Sequence, residues 1–239
     1  MQRSARTGIA VAAIACLLLP AAAGADVFMK KKHHMDAFEM MGQKQPAKDS
    51  VESTWFTADR VRSDQENRSV ILRLDKNAVL LVDHGKKTYM EIPLDMGKEL
   101  PKEMKAMPGM SFKVTVKETG ETKTINAWKC RKYLQETDMG MMPSTSEVWA
   151  TEDLRIDPAL YARYNAALFA SGPGRKPAAL EDMMKEWKKV KGVPVLTVTT
   201  STIMNAKMTS SVELTEFREG KAPAGHFEVP AGYKKEAMP

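Results

Sequence analysis

Cysteine is nearly absent from this chain of 239 residues, which holds two, Cys16 and Cys130. No internal disulfide is possible if Cys16 belongs to a leader that is removed, so the fold must be stabilised by burial. Lys129 and Arg131 flank Cys130 and could favour its thiolate. A free cysteine on a strand is more often a small buried residue, and we expect Cys130 to be one.

The sequence also lacks the short motifs of the common enzymes. It has no Gly-x-Ser-x-Gly, no His-Glu-x-x-His, no phosphate-binding loop and no paired cysteines at metal spacing, and it has four histidines in all. We therefore expect no catalytic residue, no cofactor and no enzymatic activity. A hydrolase made of carboxylates that meet only on folding stays open.

Long hydrophobic runs are missing too. The apolar run from Gly8 to Leu19 is too short to span a bilayer comfortably. Arg3 and Arg6 precede it, Pro20 ends it, and small residues lead to Ala25, which together indicate a signal peptide over residues 1–25. We predict cleavage after Ala25, a single mature domain over residues 26–239, and a periplasmic or secreted location.

A second processing route would attach lipid to Cys16, which follows Ala13-Ile14-Ala15. The apolar run continues through Leu17-Leu18-Leu19, whereas an acylated cysteine normally opens a polar tether. We therefore expect a mature chain that begins at Asp26 rather than at an acylated cysteine.

The charge balance is basic, with a formal net charge of +6 spread along the chain. The one dense run is Lys30 to His34. Nucleic acid is a poor partner for an exported protein, whereas anionic lipid head groups or a cell-envelope polymer suit weak, peripheral attraction. A strand edge guarded by lysines explains the same run without any partner, and we favour that interpretation.

Most of the remaining pattern is β. Alternating apolar residues predict a hairpin from Ile71 to Leu81, which continues as a meander to Ile92. Further strands are predicted over residues 111–136 and near Trp149. A long hairpin rich in threonine and valine follows over residues 193–217.

Two helices interrupt this pattern. Asp157 and Pro158 are typical of a helix start, and this helix is predicted to run to about Ala170. The second helix carries Leu180, Met183, Met184 and Trp187 at helical spacing. One or two short helices are also predicted between residues 94 and 110. The apolar stripes must pack on something, most simply on the face of the sheet.

The chain ends with an apolar alternation instead of a polar tail. Phe227 and Val229 can point into the core while Glu228 points out, and Pro230 suits a strand end. We predict that this final segment is ordered and closes the domain, since each buried apolar side chain contributes about 2 kcal/mol.

Several stretches together resemble an exported bacterial family, domain of unknown function 4412, over most of the mature chain. The stretches are residues 71–81, Trp128 to Tyr133, Lys191 to Val195 and Phe227 to Tyr233. The family is similar in layout to the periplasmic lipoprotein carriers and to related regulatory domains. This resemblance implies an α+β fold: a strongly curved antiparallel sheet of about ten strands, an unfinished β-barrel, with helices packed on its concave face.

The same resemblance implies a hydrophobic cavity for a lipid or a lipoprotein acyl chain. The 18 methionines suit such a surface because their side chains are flexible and polarizable. The candidates for the cavity wall are Trp128, Tyr133, Trp149, Met183, Met184 and Trp187. An equally good interpretation is that these residues form a closed core.

Two other functions stay open. The curved sheet could be a platform for an envelope protein partner, as in an interaction or stress-sensing module. A periplasmic copper site could use imidazoles and thioethers, although neighbouring histidines on a strand point to opposite faces. The candidates for that site are His33, His34, Met35, Met40, Met41, Met139, Met141 and Met142.

Overall fold

A computed structural model describes residues 26–94, 113–138, 143–170, 177–203 and 206–237. The predicted signal peptide, the acylation site at Cys16 and most of the predicted helical stretch after residue 94 lie outside these residues. The elements are β1 (Val27–Met35), β2 (Phe38–Met40), β3 (Gln43–Gln45), β4 (Lys48–Phe56), β5 (Arg60–Gln65), β6 (Arg68–Arg73), β7 (Ala78–Asp83), β8 (Thr88–Pro93), β9 (Lys113–Ile125), β10 (Trp128–Asp138), β11 (Ser144–Thr151), α1 (Pro158–Ala170), α2 (Pro177–Trp187), β12 (Val193–Ile203), β13 (Ala206–Glu219) and β14 (Lys234–Lys235).

Twelve of the strands form one sheet in the order β14-β8-β7-β6-β5-β4-β1-β13-β12-β11-β10-β9. All neighbours are antiparallel except β14, which runs parallel to β8. Strands β2 and β3 form a separate hairpin. The predicted hairpins β6–β7 and β12–β13 are confirmed, as are both helices.

The expected α+β half-barrel of about ten strands is corrected in two respects. The protein is mainly β, with twelve strands in its main sheet and two short helices. The sheet is also not curled, and it is not closed, because its edge strands β14 and β9 lie at opposite ends of the strand order and do not pair with each other. Without a ladder between the edges, nothing imposes the strand tilt and stagger of a barrel.

The basic run Lys30 to His34 lies on an interior strand rather than at the edge we predicted. Strand β1 pairs with β4 on one side and with β13 on the other. The lysines therefore do not protect an open edge. Lys30 and Lys32 are nevertheless exposed and Lys31 is half-buried, because side chains leave a strand perpendicular to the hydrogen-bonding direction.

Helix α1 covers one face of the sheet near β4. Its first turn is closed by the amide of Tyr161, which donates to the carbonyl of Asp157 at 3.0 Å. The ring centroids of Tyr161 and Tyr164 lie 6.1 and 5.6 Å from that of Phe56. These aromatic contacts position α1 against the largest buried cluster of the sheet.

Helix α2 covers the far end of the sheet. Met183 is buried with Val116 and Tyr133, and Trp187 packs against the same cluster. The carboxylate of Glu186 accepts the backbone N–H of Val116 on edge strand β9 at 2.8 Å. Within the described residues, neither helix has the length and hydropathy needed to cross a bilayer.

The C-terminal segment covers the opposite face from α1. Trp55 and Phe56 are consecutive on β4, so their side chains point to opposite faces. Phe56 contacts α1, whereas Trp55 packs with Phe28 and with Phe227 of the final segment. The predicted closing role of this segment is supported: Phe227 is buried, Val229 packs beside it and Glu228 is exposed.

Arg73 ties the final segment to the sheet. Its guanidinium is buried and makes a two-pronged ion pair with Asp75 at 2.8 and 2.7 Å. The remaining nitrogen donates to the carbonyl of Phe227 at 3.2 Å and to the carboxylate of Glu228 at 2.7 Å. A planar guanidinium can hold a carboxylate and a backbone carbonyl at once, which a lysine cannot do with the same geometry.

Removing the final segment, residues 226–239, is expected to lower the melting temperature markedly. Phe227→Ala alone should lower the free energy of unfolding by about 3–5 kcal/mol, because it empties a buried aromatic site. Thermal and urea unfolding monitored by circular dichroism measure both effects. Lys221→Ala, at an exposed position before the segment, is the control and should change little. An unchanged melting curve after the truncation would contradict the closing role.

Gly192, between α2 and β12, is a position where a side chain cannot be accommodated. Its φ is +86°, and a Cβ atom there would lie 2.0 Å from the carbonyl oxygen of Thr151. Gly192→Ala should therefore destabilise by roughly 2 kcal/mol or more, through both backbone strain and the clash. Gly232→Ala is the matched control, since its φ is +83° but a Cβ would meet no atom within 4 Å. Equal losses for the two variants in urea unfolding would exclude the clash.

Candidate functional site

A cleft of about 390 Å³ separates the two helices from strands β10, β11 and β12. The size lies within the range of small-molecule sites. The lining residues are Gln135, Val148, Ile156, Pro158, Tyr161, Ala162, Asn165, Met184, Trp187, Lys188, Val190, Gly192, Pro194 and Thr197.

Helical spacing explains why these residues meet. In α1, Pro158, Tyr161, Ala162 and Asn165 recur at intervals of three and four, so they share one face. The end of α2 contributes Met184 and Trp187, and Lys188 follows directly after the helix, four residues from Met184. Each helix therefore presents one stripe to the sheet and uses part of that stripe to line the cleft.

The sheet supplies the floor through cross-strand neighbours. Val148 on β11 pairs with Thr197 on β12 and with Tyr133 on β10. Paired residues share a face, so Val148 and Thr197 line the cleft together, while Tyr133 lies below α2. The lining is mostly apolar, with an amide from Gln135 and a hydroxyl from Thr197 among the side chains of the floor.

Two of the six predicted wall residues, Met184 and Trp187, line this cleft. Met183 and Tyr133 are instead fully buried between α2 and the sheet, where the hydroxyl of Tyr133 accepts the backbone N–H of Lys191 at 3.3 Å. These two belong to the closed core that the sequence left as an alternative.

The remaining two predicted residues lie in the larger cluster, outside the cleft lining. Trp149 is buried, with the ammonium of Lys123 at 3.9 Å from its ring centroid, and Trp128 is half-buried. The helical stripe of Met183, Met184 and Trp187 could not separate core from cleft. Nothing in the sequence marked Ala162, Asn165 or Lys188.

A half-buried carboxylate lies near α1. Glu52 on β4 accepts hydrogen bonds from the hydroxyls of Ser63 at 2.5 Å and Thr54 at 3.1 Å. Its second oxygen is 2.8 Å from Nε2 of His33. Burial alone would raise the pKa of Glu52, but the bond from His33, the charge of Lys31 and the hydroxyl of Ser63 outweigh it and lower the pKa to about 2.

Tyr164 joins α1 to this polar cluster. Its hydroxyl hydrogen bonds with Ser63 and Glu52. Burial, together with the negative charge of Glu52, raises the pKa of Tyr164 well above its usual value. The phenol therefore stays protonated and anchors α1 over an ionised carboxylate.

A second polar cluster resembles a hydrolytic triad in composition but not in arrangement. The hydroxyl of Ser69 donates to Asp64, lies 2.6 Å from Nε2 of His84, and is buried. The other nitrogen of His84 is 2.9 Å from the hydroxyl of Tyr233. A triad needs the carboxylate behind the histidine and an accessible hydroxyl. This cluster instead joins the final segment to the sheet.

The two histidines among the candidate copper ligands are already paired, whereas Met41 is exposed. His33 bonds with Glu52, and His34 on the other face bonds with Asp49 at 2.7 Å and Asp36 at 3.0 Å. Among the described residues, no group of three histidine, cysteine or acidic side chains is arranged to hold a metal. Met139, Met141 and Met142 lie outside the described residues.

Cys130 is a buried strand residue, as predicted. Burial raises the pKa of its thiol, and the negative charge of Asp153 adds to that effect. The lysines and arginine that flank it in sequence therefore do not make it a reactive thiolate.

An open, mostly antiparallel sheet with two short helices beside an apolar cleft defines a mainly β protein. The chain belongs to the family of the domain of unknown function DUF4412, whose pattern matches residues 29–233. No curated protein matches its sequence.

A similar solved structure is a candidate outer membrane lipoprotein-sorting protein domain from Vibrio parahaemolyticus. The two share 8% sequence identity, the match covers 85% of this chain and 89% of the other, and the TM-score is 0.31.

Protonation of Glu52 is expected to lower the free energy of unfolding in acid. A folded pKa near 2, below the ordinary value of 4.5, means that the ionised carboxylate stabilises the fold above pH 4.5 and that this contribution is lost as the pH falls towards 2. The loss should be roughly 3 kcal/mol, and Glu52→Gln should remove it. Urea unfolding across this pH range measures the difference. Glu39→Gln, at an exposed site on β2, is the control; parallel curves for wild type and Glu52→Gln would contradict the assignment.

Proposed function

We propose that this protein is an exported, non-catalytic binding protein that holds a hydrophobic ligand, such as a lipid or an acyl chain, in the cleft between its two helices and its sheet. The observation that carries the proposal is the cleft itself, whose volume of about 390 Å³ suits a small apolar ligand.

The character of the walls supports this function. Val148, Ile156 and Val190 supply aliphatic surface, and Met184 and Trp187 supply soft, polarizable surface. Trp187 and Met184 are only partly buried in the chain alone. A bound apolar molecule would remove this remaining surface from water, which favours binding by about 25 cal/mol for each Å².

The absence of catalysis is part of the same proposal. The lining holds no carboxylate, histidine or cysteine, and the serines that contact carboxylates lie in the buried clusters of Ser63 and Ser69. An envelope location follows the predicted signal peptide, which would be removed after Ala25.

Native mass spectrometry and lipid extraction of the purified protein test the proposal directly. We expect substoichiometric to stoichiometric apolar ligand that is released by denaturation. A pulldown from envelope extract tests the alternative of a protein-interaction module. A stoichiometric protein partner with no copurified lipid would contradict ligand carriage.

Ala162→Trp should block the cleft without opening a cavity elsewhere. Ala162 is a small, partly buried lining residue on α1, so a large ring there would occupy the ligand volume. We expect N-phenyl-naphthylamine, a neutral apolar probe, to bind roughly tenfold more weakly or not at all. Its fluorescence measures this. Arg163→Trp, at the exposed neighbouring position, is the matched control; equal binding by both variants would place the probe elsewhere.

A further inference from the structure

One lining residue of the cleft carries a charge. Lys188 is the single ionisable cation among the lining side chains, and no acidic residue lines the cleft with it. An unbalanced charge beside an apolar volume affects which ligands can enter, because a ligand charge there is desolvated more than in bulk water.

Lys188 also lacks an acidic partner within the described residues, unlike the adjacent Lys189, which pairs with Glu186 at 2.6 Å. The backbone N–H of Lys188 donates to Met184 at 3.2 Å, which places Lys188 one turn beyond Met184 at the C-terminal end of α2.

We propose that the ligand is an anionic amphiphile whose single apolar chain occupies the cleft and whose negatively charged head group pairs with Lys188. This inference rests on the proposed function and adds the charge of the ligand to it. Lys188 is exposed and also lines the cleft, so its ammonium can stay hydrated while its aliphatic stem contacts the apolar chain. Asn165, Gln135 and Thr197 add hydrogen-bonding groups to the same lining.

A purely structural role for Lys188 makes a different prediction. A cation near the C-terminus of a helix stabilises the helix dipole whether or not a ligand is bound. Lys185 is the matched control because it lies in the last turn of the same helix, is exposed and does not line the cleft. Lys185→Gln and Lys188→Gln should therefore change helix stability alike, but only Lys188→Gln should change ligand choice.

The experiment compares three ligands with the same chain: dodecanoate, its neutral methyl ester, and dodecyltrimethylammonium. Each displaces N-phenyl-naphthylamine from the wild type, Lys185→Gln, Lys188→Gln and Lys188→Glu at neutral pH and low salt. The wild type and Lys185→Gln should bind dodecanoate roughly fivefold more tightly than the ester, as expected for one partly exposed ion pair. This preference should disappear in Lys188→Gln, weaken with salt, and reverse towards the ammonium ligand in Lys188→Glu.

The outcomes separate the two proposals. Equal binding of dodecanoate and its ester to the wild type, or a preference that survives in Lys188→Gln, would overturn the role of Lys188 and leave apolar binding in place. Failure of all three ligands and of the probe to bind would overturn the proposed function itself, and the inference with it.

Discussion

The structure depends on covering both faces of one open sheet. Two consecutive residues on β4 show that both faces must be covered. Trp55 and Phe56 are both large and buried, but their side chains point to opposite faces of the sheet. Helix α1 meets Phe56, and the final segment meets Trp55 through Phe227. The hydrophobic core therefore consists of two layers, one on each side of the sheet. Losing either α1 or the final segment would expose apolar surface.

The cleft lies where the two helices leave part of the sheet face uncovered. α1 is fixed by Tyr164 over the ionised Glu52, and α2 is fixed by Met183 and by Glu186 bound to edge strand β9. Both walls thus have polar as well as apolar attachments to the sheet. A cleft between two anchored walls is formed before a ligand arrives, which reduces the ordering that binding requires.

Local pattern predicted much of the local structure after residue 70 but did not predict strands β2 to β5. The hairpin β6–β7, the start of α1 at Pro158 and the burial of Phe227 follow from periodicity, capping and turn chemistry. The sheet order did not follow, because nothing near Lys30 indicates that β1 pairs with β13. The same limit applies to the cleft: Met183 and Met184 are equivalent in spacing, and only the packing of α2 makes one core and the other lining.

The position of β1 has a consequence for how the molecule acquires its structure. Its register joins residues near the start of the described chain to residues close to its end, with Lys30 accepting a hydrogen bond from Thr215, 185 positions away. Such a long loop must close before the middle of the sheet can form, and high contact order slows folding. Strand β1 can pair with β4 early, but a polypeptide translocated in extended form would keep the β13 side of β1 unpaired until nearly all of the chain had emerged, so the two halves of the sheet would join only after transport was almost complete.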